Sequence, residues 1–131
     1  MIGLDTNVLV RFLTQDDPDQ SARANALLES RCSSDQPGYV SAVVLCELVW
    51  VLRGAYGYQK SLLVHVLEEL LGAGELDIEN EDVIRQALAA YRDGSADFAD
   101  YVIAYGNERA GCEVTYSFDR KLGLVSSVVE P

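Results

Sequence analysis

Five carboxylates stand at places where local structure alone gives an incomplete reason for an acid: Asp5, Glu47, Asp97, Asp100 and Asp119. Glu47 is the only charged residue between Ala42 and Leu52, and the other ten are apolar. A helix that apolar is expected to be buried on most sides, where an unpaired carboxylate is costly or stays neutral. Glu47 therefore calls for a partner: an ion pair with Arg11 or Arg53, a gap in the covering layer, or a metal ion. Asp97 and Asp100 are spaced i, i+3 and share one helix face. An acid in a first helical turn gains ~0.3–1 kcal/mol from the helix dipole, yet two in one turn also repel, and a shared cation relieves that repulsion. Asp5 follows a short apolar segment and Asp119 an alternating one of strong β bias, and each segment reads as a strand. The carboxyl ends of strands are where open α/β sheets bind ligands. The plainer explanations are a helix cap for Asp5 and an exposed turn with Arg120 for Asp119. Taken together, the five describe an oxygen-only donor set, the kind that suits a hard divalent cation such as Mg²⁺.

The elements that must position these acids follow from pattern. Ile2–Leu4 reads as a buried first strand, Asn7–Leu13 as a short helix, and Ser21–Arg31 as a second helix with Pro18 in its opening turn. Cys32–Gly38 is rich in turn formers and reads as loop. Tyr39–Val40 reads as a second strand, after which Ser41 caps a helix over Ala42–Arg53. Lys60–Leu71 carries apolar residues at 62, 63, 66, 67, 70 and 71, an amphipathic period. Leu76–Ile78 reads as a third strand and Glu81–Arg92 as a helix. Ser95 is expected to cap a further helix reaching Arg109, with Phe98, Ala99, Val102, Ile103 and Gly106 toward the sheet. Val114–Phe118 reads as the fourth strand and Val128–Val129 as a fifth. Strand and helix alternating in this way predict a three-layer α/β domain with a mostly parallel sheet. If the first and fourth strands are neighbours, Asp5 and Asp119 emerge side by side.

Composition bounds the function. At 131 residues the chain has the length of one domain, and 49% apolar with 24% charged residues is a globular balance. The longest apolar run, Ala42–Leu52, falls far short of the ~20 residues that span a bilayer, and the opening residues lack the pattern of a signal peptide. Cys32, Cys46 and Cys112 are odd in number and not in CxxC spacing, which excludes a disulfide framework or zinc knuckle and fits a cytoplasmic location. The net charge of −11 runs against the basic surplus of a nucleic-acid-binding domain. Bound Mg²⁺ offsets part of it, and an acidic surface also suits a basic protein partner. His65 reads as a core or rim histidine. Gly72-Ala73-Gly74 lacks the third glycine of a dinucleotide fingerprint. Trp50 and Tyr56 fit packing better than base stacking.

The segments Leu4-Asp5-Thr6-Asn7-Val8-Leu9-Val10-Arg11, Ser41 with Glu47, Ala96-Asp97-Phe98-Ala99-Asp100 and Ser117-Phe118-Asp119 together resemble the PIN-domain family, in particular its VapC-type toxin ribonucleases. The resemblance covers essentially the whole chain, 1–131, as a single domain. It implies a five-stranded parallel sheet in the order 3-2-1-4-5, with the switch point between Asp5 and Asp119. It implies an acidic site at Asp5, Glu47, Asp100 and Asp119, with Asp97 as an additional acid and Thr6, Asn7 and Ser41 in support. It also implies Mg²⁺, with Mn²⁺ as a substitute, an RNA substrate, a homodimer and a cognate antitoxin protein.

The chemistry expected of such a site is hydrolysis of a phosphodiester. Asp5 and Asp100 hold the metal, Glu47 helps deprotonate the attacking water, and Asp97 and Asp119 complete the pocket or engage a second ion. Arg11, Arg53 and Arg120 are candidates to contact substrate phosphates. Two rival readings differ in class. A small-molecule phosphohydrolase with an Asp nucleophile wants a second Asp two residues on or a facing lysine; here the second position is Asn7, and the only lysines are Lys60 and Lys121. A catalytically silent PIN-like module would act through protein contacts alone, without a gain in stability from Mg²⁺.

Overall fold

The computed structural model describes all of residues 1–131, as two compact units, Met1–Glu79 and Asn80–Pro131.

The first unit runs β1 (Ile2–Gly3), α1 (Thr6–Thr14), α2 (Pro18–Arg31), β2 (Gly38–Val40), α3 (Ala42–Gly54), α4 (Lys60–Gly72) and β3 (Leu76–Ile78). Its three strands form a parallel sheet with β2 in the middle, Ile2 opposite Gly38 and Val40 opposite Ile78. The central strand must be lean at its entry. A Cβ on Gly38 would lie 2.8 Å from both Cys32 Sγ and Leu4 Cδ1. The helix starts are set by side chains that satisfy otherwise orphaned amides. Asp17 accepts from Gln20 N at 3.0 Å, just before Pro18 at the first position of α2. Ser41 accepts from Val44 N at 3.3 Å and so caps α3, as the sequence leads one to expect. Leu9, Leu45, Leu48, Leu52, Leu63 and Leu67 are fully buried and make the core of this unit. On α4 the buried face takes Val64, while Leu62 is left 43% exposed. His65 is exposed and lies 3.7 Å from Glu69 on the outer face of α4, not in the core. No helix of the chain is long and apolar enough to cross a membrane.

The second unit runs α5 (Glu81–Asp93), α6 (Phe98–Arg109), β4 (Thr115–Tyr116), a 3₁₀ turn (Arg120–Leu122) and β5 (Val128–Val129). Its core is built on α5 against α6, where the rings of Tyr91 and Phe98 meet edge to face at 5.9 Å. Arg109 pairs with Asp82 across the same two helices. The cap of α6 is Asp97, not Ser95. The helix buries Phe98, Tyr101 and Ala104 and leaves Ile103 56% exposed, so Phe98 faces inward as expected and Ile103 does not. The fourth strand is also shorter than expected. After Ser117 N bonds to Val129 O at 3.0 Å, Ser117 Oγ accepts from Asp119 N at 3.0 Å and turns the chain, leaving Phe118 78% exposed.

Strands β4 and β5 pair in parallel, with Thr115 opposite Val128. The expected α/β class with parallel strands is thus present, and the 3-2-1 part of the order appears in the first unit. The hydrogen bonds draw one three-stranded and one two-stranded ladder; a single five-stranded order is not among them.

Candidate functional site

The acids fall into two groups, one in each unit. In the first, Asp5 is exposed and caps α1, accepting from Thr6 N at 2.8 Å. Capping and availability are compatible here, because one oxygen meets the amide and the other remains. Thr6 itself is 8% exposed, and its hydroxyl donates to Glu47 Oε1 at 3.1 Å across 41 residues of sequence. One threonine therefore ties the cap of α1 to the middle of α3. Glu47 is exposed, contrary to the burial expected of so apolar a helix. The reason is the helix period. Val44, Leu45, Leu48, Val49 and Leu52 form the buried face, which leaves Val43, Glu47 and Trp50 as an outward stripe with Val43 68% and Trp50 50% exposed.

An arginine does not neutralise Glu47 from α1, because Arg11 is engaged elsewhere. Its Nη1 donates to Asp16 at 3.0 Å and to Tyr56 Oη at 3.1 Å, and its Nε donates to Gln20 at 2.7 Å. Tyr56 Oη in turn donates to Asp16 Oδ2 at 2.7 Å, and Thr14 Oγ1 to Asp16 Oδ1 at 2.7 Å. Hydrogen bonds from Tyr56 and Thr14, then the Arg11 guanidinium, hold Asp16 down at about 2. Asp16, in turn, raises Arg11 above its ordinary value. Sequence reasoning missed this network, which joins residues as far apart as Arg11 and Tyr56. Arg53 is exposed at the end of α3. Asn7 is exposed on the first turn of α1, where it lines a cavity with Arg11 instead of contacting Asp5.

In the second unit Asp97 and Asp100 make a reciprocal capping box at the start of α6, and Asp97 N donates to Asp100 Oδ2 at 3.1 Å. Part of the reason for these acids is thus structural. Asp100 and Asp119 are also brought within hydrogen-bonding range of each other. Burial first, then the charges of Asp119 and Asp97, push Asp100 up from the usual carboxylate value, while the bond from the Asp97 amide opposes the rise. Asp119 is half-buried, and its Oδ1 accepts from Lys121 N at 2.9 Å to start the 3₁₀ turn. Arg120 is exposed on that turn. No three His, Cys, Asp or Glu side chains gather into a metal-binding cluster. The first unit links Asp5 and Glu47 through Thr6, the second sets Asp100 beside Asp119, and the repulsion within the Asp100–Asp119 pair is of the kind a hard cation relieves. In donor chemistry these residues fit Mg²⁺.

The model of the PIN domain matches residues 2–126, which takes in all five acids. The chain belongs to the PIN-domain family. This PIN domain is also similar to a VapC ribonuclease of Aquifex aeolicus (strain VF5), with 25% identity over 118 residues that cover 90% of this chain and 87% of that protein. In this PIN domain the Asp5–Thr6–Glu47 linkage and the Asp100–Asp119 pair each connect carboxylates distant in sequence.

Proposed function

We propose that the protein is a Mg²⁺-dependent endoribonuclease that hydrolyses RNA phosphodiester bonds and serves as the toxin of a toxin–antitoxin pair. The observation that carries the reading is the Asp100–Asp119 carboxylate pair, which brings two anionic side chains together in a chain that belongs to the PIN-domain family. Likeness to a VapC ribonuclease supports RNA as the substrate, and the toxin role with an antitoxin partner is proposed with it. The reading includes a homodimer, a cytoplasmic location and Mn²⁺ as a working substitute.

Asp97, Asp100 and Asp119 of the second unit would hold a metal, and Asp5 of the first is a further candidate ligand. Bound Mg²⁺ would acidify a water molecule and offset the charge that grows on the phosphoryl oxygens. Glu47 has one oxygen occupied by the Thr6 hydroxyl, so Oε2 is the oxygen to accept a proton from the attacking water. Thr6 keeps that carboxylate in a fixed orientation, and its burial limits the freedom of both partners. Asp97 positions Asp100 through the capping box, and Ser41 fixes the start of the helix that carries Glu47.

Asp5→Asn tests the reading. Asparagine caps a helix as well as aspartate does, so the variant is expected to fold like the wild type and to lose Mg²⁺-dependent cleavage of RNA. Cleavage retained at the wild-type rate would refute the assignment. A wild type that cuts no RNA and gains no thermal stability from Mg²⁺ or Mn²⁺ would identify a silent interaction module instead, and phosphate release from a simple phosphomonoester would identify a phosphohydrolase.

A further inference from the structure

Between α1 and α2 lies a cavity of about 390 Å³, lined by Asn7, Val8 and Arg11 on one side and by Gln20, Arg23, Ala24 and Leu27 on the other. Two features set it apart. The chain carries 21 acids and ten cations, yet none of the seven lining residues is acidic. The first unit has five cations, Arg11, Arg23, Arg31, Arg53 and Lys60, and two of the five line this one space. The lining is divided by chemistry, with guanidinium and amide groups from Asn7, Arg11, Gln20 and Arg23, and an apolar patch from Val8, Ala24 and Leu27.

Arg11 is held in place without being used up. Asp16, Tyr56 and Gln20 occupy Nη1 and Nε. A guanidinium has five N–H donors in a rigid fork, which leaves the two hydrogens of Nη2 for a further acceptor. Arg23 pairs only with Asp19, at 3.7 Å, and both side chains are about four-fifths exposed. An exposed pair of that kind is worth little and exchanges readily for a phosphate. Location adds to the case. Asn7 and Arg11 are four residues apart on one face of α1, the helix that Asp5 caps. With a rise of ~1.5 Å per residue, Arg11 lies ~9 Å along the axis from that acid.

We propose that the α1–α2 cavity is an RNA subsite, taking one backbone phosphate on Arg11 and Arg23 and the attached nucleoside against Val8, Ala24 and Leu27. It rests on the reading of the protein as a ribonuclease and extends it to how an acidic chain grips a polyanion. Local cations, not net charge, hold the strand, and Asp16 and Tyr56 are positioning residues for Arg11.

The experiment measures binding of a fluorescein-labelled single-stranded oligoribonucleotide by anisotropy, in EDTA so that nothing is cleaved, over a series of KCl concentrations. Arg23→Gln, on the exposed side of the cavity, is expected to weaken binding about three- to tenfold and to reduce the slope of log affinity against log salt by about 0.7, the share of one phosphate contact. Arg11→Gln is expected to do at least as much, and Tyr56→Phe to weaken binding while leaving that slope close to the wild-type value, since no charge is removed. In Mg²⁺, the loss for Arg23→Gln falls on KM and not on kcat. Wild-type affinity and slope in both arginine variants, with wild-type protein still cutting RNA, would overturn this inference alone. A wild type that neither binds nor cuts RNA would overturn the ribonuclease reading and this subsite with it.

Discussion

Replacing Asp119 by Asn removes one charge from the Asp100–Asp119 pair and keeps almost everything else. The Oδ1 acceptor for Lys121 N survives in the amide, and the bond from Asp119 N to Ser117 Oγ involves only the backbone of that residue. Two like charges 4 Å apart repel by ~1 kcal/mol in water and ~4 kcal/mol at an effective dielectric of 20. Both carboxylates are half-buried at the surface, so the lower end applies, and the metal-free variant gains ~1 kcal/mol. For a chain of this length that is a rise in Tm of about 3–5 °C. Magnesium reverses the order. At 100 times its Kd a bound ion adds ~2.7 kcal/mol to the wild type, whereas the variant has lost a donor and gains far less. Thermal melts followed by circular dichroism, in EDTA and then in Mg²⁺, read both signs on one sample. A variant that melts at or below the wild type in EDTA refutes the repulsion; one that keeps the full gain from Mg²⁺ removes Asp119 from the metal site.

Two further outcomes are expected from other parts of the structure. Phe98→Ala empties a fully buried site packed edge to face on Tyr91, and should cost about 3–5 kcal/mol in urea unfolding; a loss under 1 kcal/mol would mean that α5 and α6 repack without it. Asp16 titrates at about 2 in the folded protein against an ordinary 3.8. Its contribution to stability is therefore in place above about pH 4 and fades as the pH falls through about 2. Melts of Asp16→Asn and wild type should be separated by a constant gap above about pH 5, with the variant lower, and converge between about pH 4 and 2; a gap that widens on acidification would contradict the network.

Much of this was readable from the chain because the signals were local. Ser41 before ten apolar residues, Pro18 after Asp17, and Gly38 ahead of Tyr39-Val40 each fix an element boundary through a single side chain or its absence, and the structure puts α3, α2 and β2 there. Asp5 at the end of the first strand was legible for the same reason. What failed depended on which way a helix faces. Glu47 looked buried because composition counts apolar residues without assigning them to a face; Val43 and Trp50 share its outward stripe. Ser95 looked like the cap because serine is a good one, but Asp97 can form the reciprocal box with Asp100 and serine at 95 cannot. The Arg11–Asp16–Tyr56 network spans 45 residues, and no spacing rule reaches that far.

The outward stripe on α3 also equips the molecule with an internal signal. Trp50 is the only tryptophan of the chain, half-exposed and three residues from Glu47 on that stripe, so indole emission comes from one known address. Anything that covers this flank, whether nucleic acid, a partner chain or a second copy, dehydrates the indole and shifts its emission to shorter wavelength. Occupancy next to the proton acceptor can then be titrated in unlabelled protein, without first knowing what binds there.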